Sequence, residues 1–232
     1  MSRLFRALIE DEGVTIVTTS NRVPAALYKD GLNRDHFLPF IGLIERELDV
    51  LGLNGPTDYR LDRVGDLDRW LSPLGEPTTE RLREAFFRLT DYPPEDAAHV
   101  PSCELDVGGG RKLHVPKSLK GVGVFSFKRL CVEPRGAADY LAIAREFHTV
   151  FIAGIPQLGP ETRNEAARFV TLIDALYEHR VKLFAAAAVP PAELYRNPAK
   201  PDGGSFEFER TISRLEEMQS DSYMALGHGT ED

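Results

Sequence analysis

Apolar positions along the chain switch between two periods, and the switches mark its elements. Leu4, Phe5, Leu8 and Ile9 fall on one face of a helix, and Gly13 stands where a left-handed residue ends one. Residues 14–18 (VTIVT) form a β-branched run that predicts a strand. Pro24 opens a short helix closed by Gly31, and a longer helix covers 36–47. Residues 48–53 predict a second strand, ended by Asn54-Gly55-Pro56. Leu82, Phe86 and Leu89 stripe a helix that starts near Thr78 and Thr79 and stops before Pro93-Pro94. Residues 104–107 and 112–115 read as two strands around the turn Gly108-Gly109-Gly110. Further strands are expected at 122–127, 149–152 and 181–187, with helices at 136–147, 161–179 and 206–218 between and after them. The tail 227–232 is expected to be disordered.

One segment echoes another. FRALIEDEGVTIVTTSNRVPAALY (5–28) aligns without a gap with LIDALYEHRVKLFAAAAVPPAELY (172–195), at an offset of 167 residues. Both run helix, turn, strand, proline and Leu-Tyr. Two helix-to-strand units that share only their architecture, or a degenerate duplication, both account for it. In the second copy Ala187, Ala188 and Val189 replace Ser20, Asn21 and Arg22.

Composition narrows the class. The 232 residues are 42% hydrophobic and 28% charged, as expected for a globular chain with one large or two small cores. A net charge of −8 argues against general nucleic-acid binding. Cys103 and Cys131 are too few for a disulfide framework, which favours a reducing compartment. No apolar run approaches the roughly 18 residues of a membrane span, and the first residues lack the apolar core of a secretory signal. A cytoplasmic location is the expectation.

No G-x-x-x-x-G-K-[ST], H-E-x-x-H, G-x-S-x-G or C-x-x-C occurs. The polar cluster Thr18-Thr19-Ser20-Asn21-Arg22 closes the predicted first strand, and ligands of open parallel sheets bind beyond the carboxyl ends of strands. TTSNRVPAALYKDGLNRDHFLPFIGLIERE, beginning in that cluster, resembles the segment after the Walker B strand in the ZapE family of AAA+ ATPases. RGAADYLAIAREFHTVFIAGIPQL, RNEAARFVTLIDALYEHRVKL and FEFERTISRLEEMQS resemble the same family's C-terminal region, in the same order. The family comprises bacterial division-associated ATPases and their mitochondrial relatives.

The resemblance implies an α/β fold: the C-terminal part of a P-loop NTPase (AAA+) parallel sheet over residues 1–65, then a mixed helical and β region over 66–232 with a β-hairpin and a second βαβ-like unit. It implies ATP hydrolysis with Mg2+, coupled to remodelling of protein clients, the division ring among them, in a homo-oligomer. Asn21 matches the sensor 1 position, where a carboxamide holds the attacking water. Arg34, in GLNRDHF, sits where these proteins place an arginine finger, with Arg22 an alternative. Arg168 is a sensor 2 candidate, and Arg214 in Ser213-Arg214-Leu215 resembles a finger motif. The family's Walker A loop and Walker B acidic pair fall before the residue that is Met1 here. A truncated chain is therefore expected, inactive alone and holding ATP weakly. The other reading is a nonenzymatic module that assembles with a full-length homologue.

Overall fold

A computed structural model describes residues 2–20, 23–27, 34–51, 67–196 and 206–229. It divides into two compact units, Met1–Pro56 and Thr57–Asp232. In the first, helix α1 (Ser2–Arg6) runs into a π turn (Ala7–Asp11), and helix α2 (Leu38–Glu47) follows the 3-10 turns Pro24–Ala26 and Arg34–His36. Phe40, Ile41 and Leu43 of α2 are buried, and Phe40 packs its ring against Phe5 and Phe37.

The strand expected at 14–18 does not form. Residues 13–20 carry no regular structure, and Val17 is 91% exposed. β-Branched side chains favour extended backbone, but a strand exists only as part of a hydrogen-bonded ladder. Among the described residues these have no ladder partner. The expected strand at 48–53 is likewise absent from its described part, residues 48–51. Gly31 and Asn54-Gly55-Pro56 lie outside the described residues.

The second unit is α/β with a mostly parallel five-stranded sheet, consistent with the P-loop-like class expected of the chain, but the sheet lies within 66–232, and among the described residues of 1–65 there is no strand. Strands β1 (Trp70–Leu71), β7 (Lys182–Ala187), β6 (Thr149–Ile155), β5 (Val122–Ser126) and β4 (Lys117–Leu119) lie in the order β1-β7-β6-β5-β4. The first four are mutually parallel, and β4 is an antiparallel edge joined to β5 by a tight hairpin. Strands β2 (Cys103–Asp106) and β3 (Lys112–Val115) make a separate antiparallel pair. Every residue of β7 is buried, as befits a central parallel strand covered on both faces.

Alternation along the strands divides the core. Val150, Ile152, Leu183, Ala185 and Ala187 face helices α4 (Ala137–Glu146), α5 (Arg163–Glu178) and α6 (Phe206–Met218). Phe151, Phe184 and Ala186 face helix α3 (Glu76–Thr90). The Phe151 and Phe184 rings stack at 4.9 Å, with Phe86 of α3 edge-on at 5.9 Å to Phe151. Helices thus cover both faces.

The expected disordered tail is corrected over its described part. Helix α7 (Asp221–Met224) packs back on the unit, His228 Nε2 donates to the Ala144 carbonyl at 2.8 Å, and the Gly229 amide donates to the His179 carbonyl at 2.9 Å. Residues 230–232 lie outside the described residues.

Candidate functional site

Arg34 opens the turn ahead of α2, in the first unit. Its Nη2 donates to the Ala25 carbonyl at 2.8 Å, across nine residues. Its Nε is buried and has no acceptor among the described residues. A guanidinium carries five N–H donors in a fixed fork, and leaving one buried and unmatched costs about 1–3 kcal/mol. The backbone anchor fixes the direction of the fork. Asn21 and Arg22 lie outside the described residues.

Arg168, on α5 in the second unit, is committed to the protein itself. Its Nη1 donates to the Cys131 carbonyl at 2.8 Å and reaches the Val132 carbonyl at 3.5 Å. Those carbonyls close a π turn (Lys128–Val132) that follows β5 directly, so Arg168 ties the strand end to α5. Burial pushes the Cys131 thiol up to about 12, against a smaller opposing pull from Arg168.

Arg214, on α6, is committed too. It pairs with Asp174 of α5, and its guanidinium lies over the Tyr177 ring, 4.9 Å from the centroid. Arg210, one turn earlier, reaches the other Asp174 oxygen at 3.0 Å. The Tyr177 hydroxyl donates to Glu217 at 2.7 Å, and that bond to a carboxylate is the first cause raising the tyrosine's pKa. The sequence signal for Asp174 is weak. The signal that could have found it is the i, i+4 pair Arg210 and Arg214 on α6.

Two further polar anchors left no readable motif. Arg69 joins β1 to the α6–α7 junction through Asp221 at 2.7 Å and the Gln219 carbonyl. Asp139 caps α4 by accepting the Gly136 amide through Oδ2 at 2.8 Å, while its buried Oδ1 has Arg111 at 3.4 Å. Among the described residues no group of three His, Cys, Asp or Glu side chains is placed to hold a metal ion, and no helix is long and apolar enough to cross a membrane.

The structure therefore assembles the arginines into separate settings. Among the described residues Arg34 Nε has no acceptor, whereas Arg168 and Arg214 are held by carbonyls and a carboxylate. Comparison with known proteins says what kind of chain this is. The chain is 37% identical to the Cell division protein ZapE of Escherichia coli K12, over 97% of its own length and 57% of that protein's. It is 37% identical to an uncharacterized protein of Schizosaccharomyces pombe, over 97% of this chain and 54% of that one. It is 31% identical to the Lactation elevated protein 1 homolog B of Danio rerio, over 98% and 50%. The chain thus spans about half the length of the curated relatives it matches. No solved structure matches it. The model of the AFG1-like ATPases matches residues 1–226, and the chain belongs to that family.

Proposed function

We propose that this chain supplies sensor and arginine-finger residues to ATP hydrolysis in an AFG1-like ATPase, coupled to remodelling of protein partners. In this reading residues 1–65 are the trailing part of the P-loop NTPase core, and residues 66–232 the region that follows it. The observation that supports the reading is Arg34: its Nη2 is anchored on the Ala25 carbonyl, and among the described residues no carboxylate pairs with its guanidinium. When ATP is bound with Mg2+ it supplies the γ-phosphoryl group. Arg34 would then offer its remaining Nη donors to phosphoryl oxygens of a neighbouring subunit's nucleotide, where charge grows in the transition state. Asn21 orients water at the same group, and Arg22 is the alternative cation. Arg168 and Arg214 come second, because a phosphate would have to displace two carbonyls or Asp174 to engage them. The Escherichia coli relative is named a cell division protein, which supports a link to the division machinery; protein clients there and a cytoplasmic location belong to this reading.

This sequence contains no phosphate-binding loop, so the 232 residues alone are expected to turn over no ATP. Mixing the chain with a full-length family member should change that member's ATPase rate, and Arg34→Ala should abolish the change. A rate unaffected by the wild-type chain, or equally affected by both versions, would sink the Arg34 assignment. If both versions lower the rate equally, the chain acts as a nonenzymatic module that joins the assembly through other surfaces.

A further inference from the structure

The echo between residues 5–28 and 172–195 extends into part of the backbone geometry at the same offset of 167, although a π turn and an unpaired segment in the first copy stand against an α-helix and strand β7 in the second. The helical segments end at Asp11 and Glu178. Their following residues, Glu12 (φ −102°, ψ −7°) and His179 (φ −95°, ψ 8°), share one conformation. Next come Gly13 (φ 61°) and Arg180 (φ 55°), both left-handed, the second in spite of its side chain. The amides of Val14 and Val181 both turn back to helix carbonyls, Leu8 at 2.8 Å and Leu176 at 2.9 Å, though these acceptors are one residue out of register. After the extended segment, 3-10 turns occupy Pro24–Ala26 and Pro191–Glu193. A left-handed residue commonly follows a helix, and Arg180 takes that seat with a side chain where the first copy has Gly13.

The second unit has the topology of a nucleotide-binding core in its own right. β1 and β7 are parallel neighbours, yet the chain leaves them toward opposite faces: α3 after β1, and Leu194 with α6 after β7. That is a switch point, the place where open parallel sheets bind ligands. β1 leads through residues 72–75 into the N-terminus of α3, which is the strand–loop–helix path of a phosphate loop.

We propose that Thr57–Asp232 is a second mononucleotide-type core, related to the segment 5–28 by internal duplication, whose phosphate site has closed. The closure is written in residues. Residues 72–79 read Ser-Pro-Leu-Gly-Glu-Pro-Thr-Thr, with no lysine. Pro77 removes an amide from the first turn of α3, and Glu76 sets a negative charge there. The Thr78 and Thr79 hydroxyls donate back to the Pro73 carbonyl (2.6 Å) and the Gly75 carbonyl (2.9 Å), so the loop satisfies itself. Across the switch point the Trp70 indole donates to the Val189 carbonyl at 3.0 Å, where the first copy carries Arg22. The inference stands apart from the role of Arg34, which belongs to the other unit.

The loop is three substitutions from G-x-x-x-x-G-K-[ST]: Ser72→Gly, Pro77→Gly and Thr78→Lys give GPLGEGKT. The test is titration of the full 232-residue chain with a fluorescent ADP and Mg2+, and mapping of azido-ATP crosslinks by mass spectrometry. Wild type should show no crosslink within residues 70–82 or 185–195. The triple variant should bind at least roughly tenfold more tightly and crosslink there, while Ser72→Gly/Pro77→Gly without the lysine should not. Should the triple variant fail to fold by circular dichroism, Pro77→Gly/Thr78→Lys is measured against the same criterion. A folded lysine-bearing variant with no gain in binding overturns the core assignment. Crosslinking of wild type at those residues overturns the closure. Failure of Arg34→Ala to matter in the mixing experiment leaves both results unchanged.

Discussion

Replacing Asp174 separates a structural account of Arg214 from a nucleotide-sensing one. The Asp174 side chain is 26% exposed, Arg214 20% and Arg210 52%. The two ion pairs that share this carboxylate therefore sit in different media. Water screens the Arg210 pair, which is worth no more than about 0.5 kcal/mol. Arg214 lies four-fifths buried over Tyr177, and removing its carboxylate leaves a mostly desolvated cation. That costs about 1–3 kcal/mol, and Asp174→Ala should lower the melting temperature by about 3–8 °C for a unit of this size. The assay is a double-mutant cycle by urea denaturation of Asp174→Ala with Arg214→Ala and with Arg210→Ala. Coupling of about 1–2 kcal/mol is expected for Asp174 with Arg214, and below about 0.5 kcal/mol for Asp174 with Arg210. High salt should shrink the second before the first. An Arg210 coupling equal to or larger than that of Arg214, or no Arg214 coupling at all, would refute the burial argument and return Arg214 to the candidates for contact with nucleotide.

Other consequences follow from burial and backbone shape. The Cys131 thiol, pushed by burial from 9.0 to about 12, keeps its proton better folded than unfolded. Its contribution to stability is present in full below the unfolded value and lost as pH rises through the folded one. Stability should therefore fall between pH 9 and about 12, less steeply in Cys131→Ala, as followed by urea midpoints. An unchanged slope in that variant would show the thiol is not the cause. Gly121 has φ 74°, and a Cβ there would meet His148 Cδ2 at 2.6 Å, beside the bond from His148 Nε2 to the Lys120 carbonyl. Gly121→Ala should destabilise by about 2–4 kcal/mol. Lys120→Gly, at the neighbouring φ of 51°, should be neutral or stabilising; equal losses in both would contradict the geometry.

Which elements were legible in the chain follows from how each is stabilised. β5, β6 and β7 are mainly apolar and largely buried runs, so their identity is local, and 122–127, 149–152 and 181–187 marked them closely. Helices α3, α5 and α6 carried apolar stripes at helical spacing and appear within a few residues of the expected bounds. β1 was invisible because two residues have no period, and its pairing depends on β7 more than a hundred positions later. Residues 14–18 have the composition of a strand, but pairing is a property of the sheet. At the candidate site, the family resemblance offered Arg34 as the finger, Arg168 as a sensor 2 candidate and Arg214 as a finger-like motif. What separates them is hydrogen bonding across the fold: Ala25 for the first, Cys131 and Val132 for the second, Asp174 for the third. The two carbonyl partners of Arg168 leave no trace in side-chain identity, so no motif announces them.

An arginine finger binds the transition state better than the ground state. The measurement that bears most directly on the proposed role of Arg34 is therefore binding of this chain to a full-length AFG1-like ATPase loaded with ADP alone or with ADP and aluminium fluoride, which mimics the transferring phosphoryl group. The wild-type chain should bind more tightly to the fluoride-loaded partner, by roughly tenfold or more, and Arg34→Ala should lose that difference while keeping its affinity for the ADP form. Equal binding of the wild-type chain to both forms, or an undiminished difference in Arg34→Ala, would contradict the assignment.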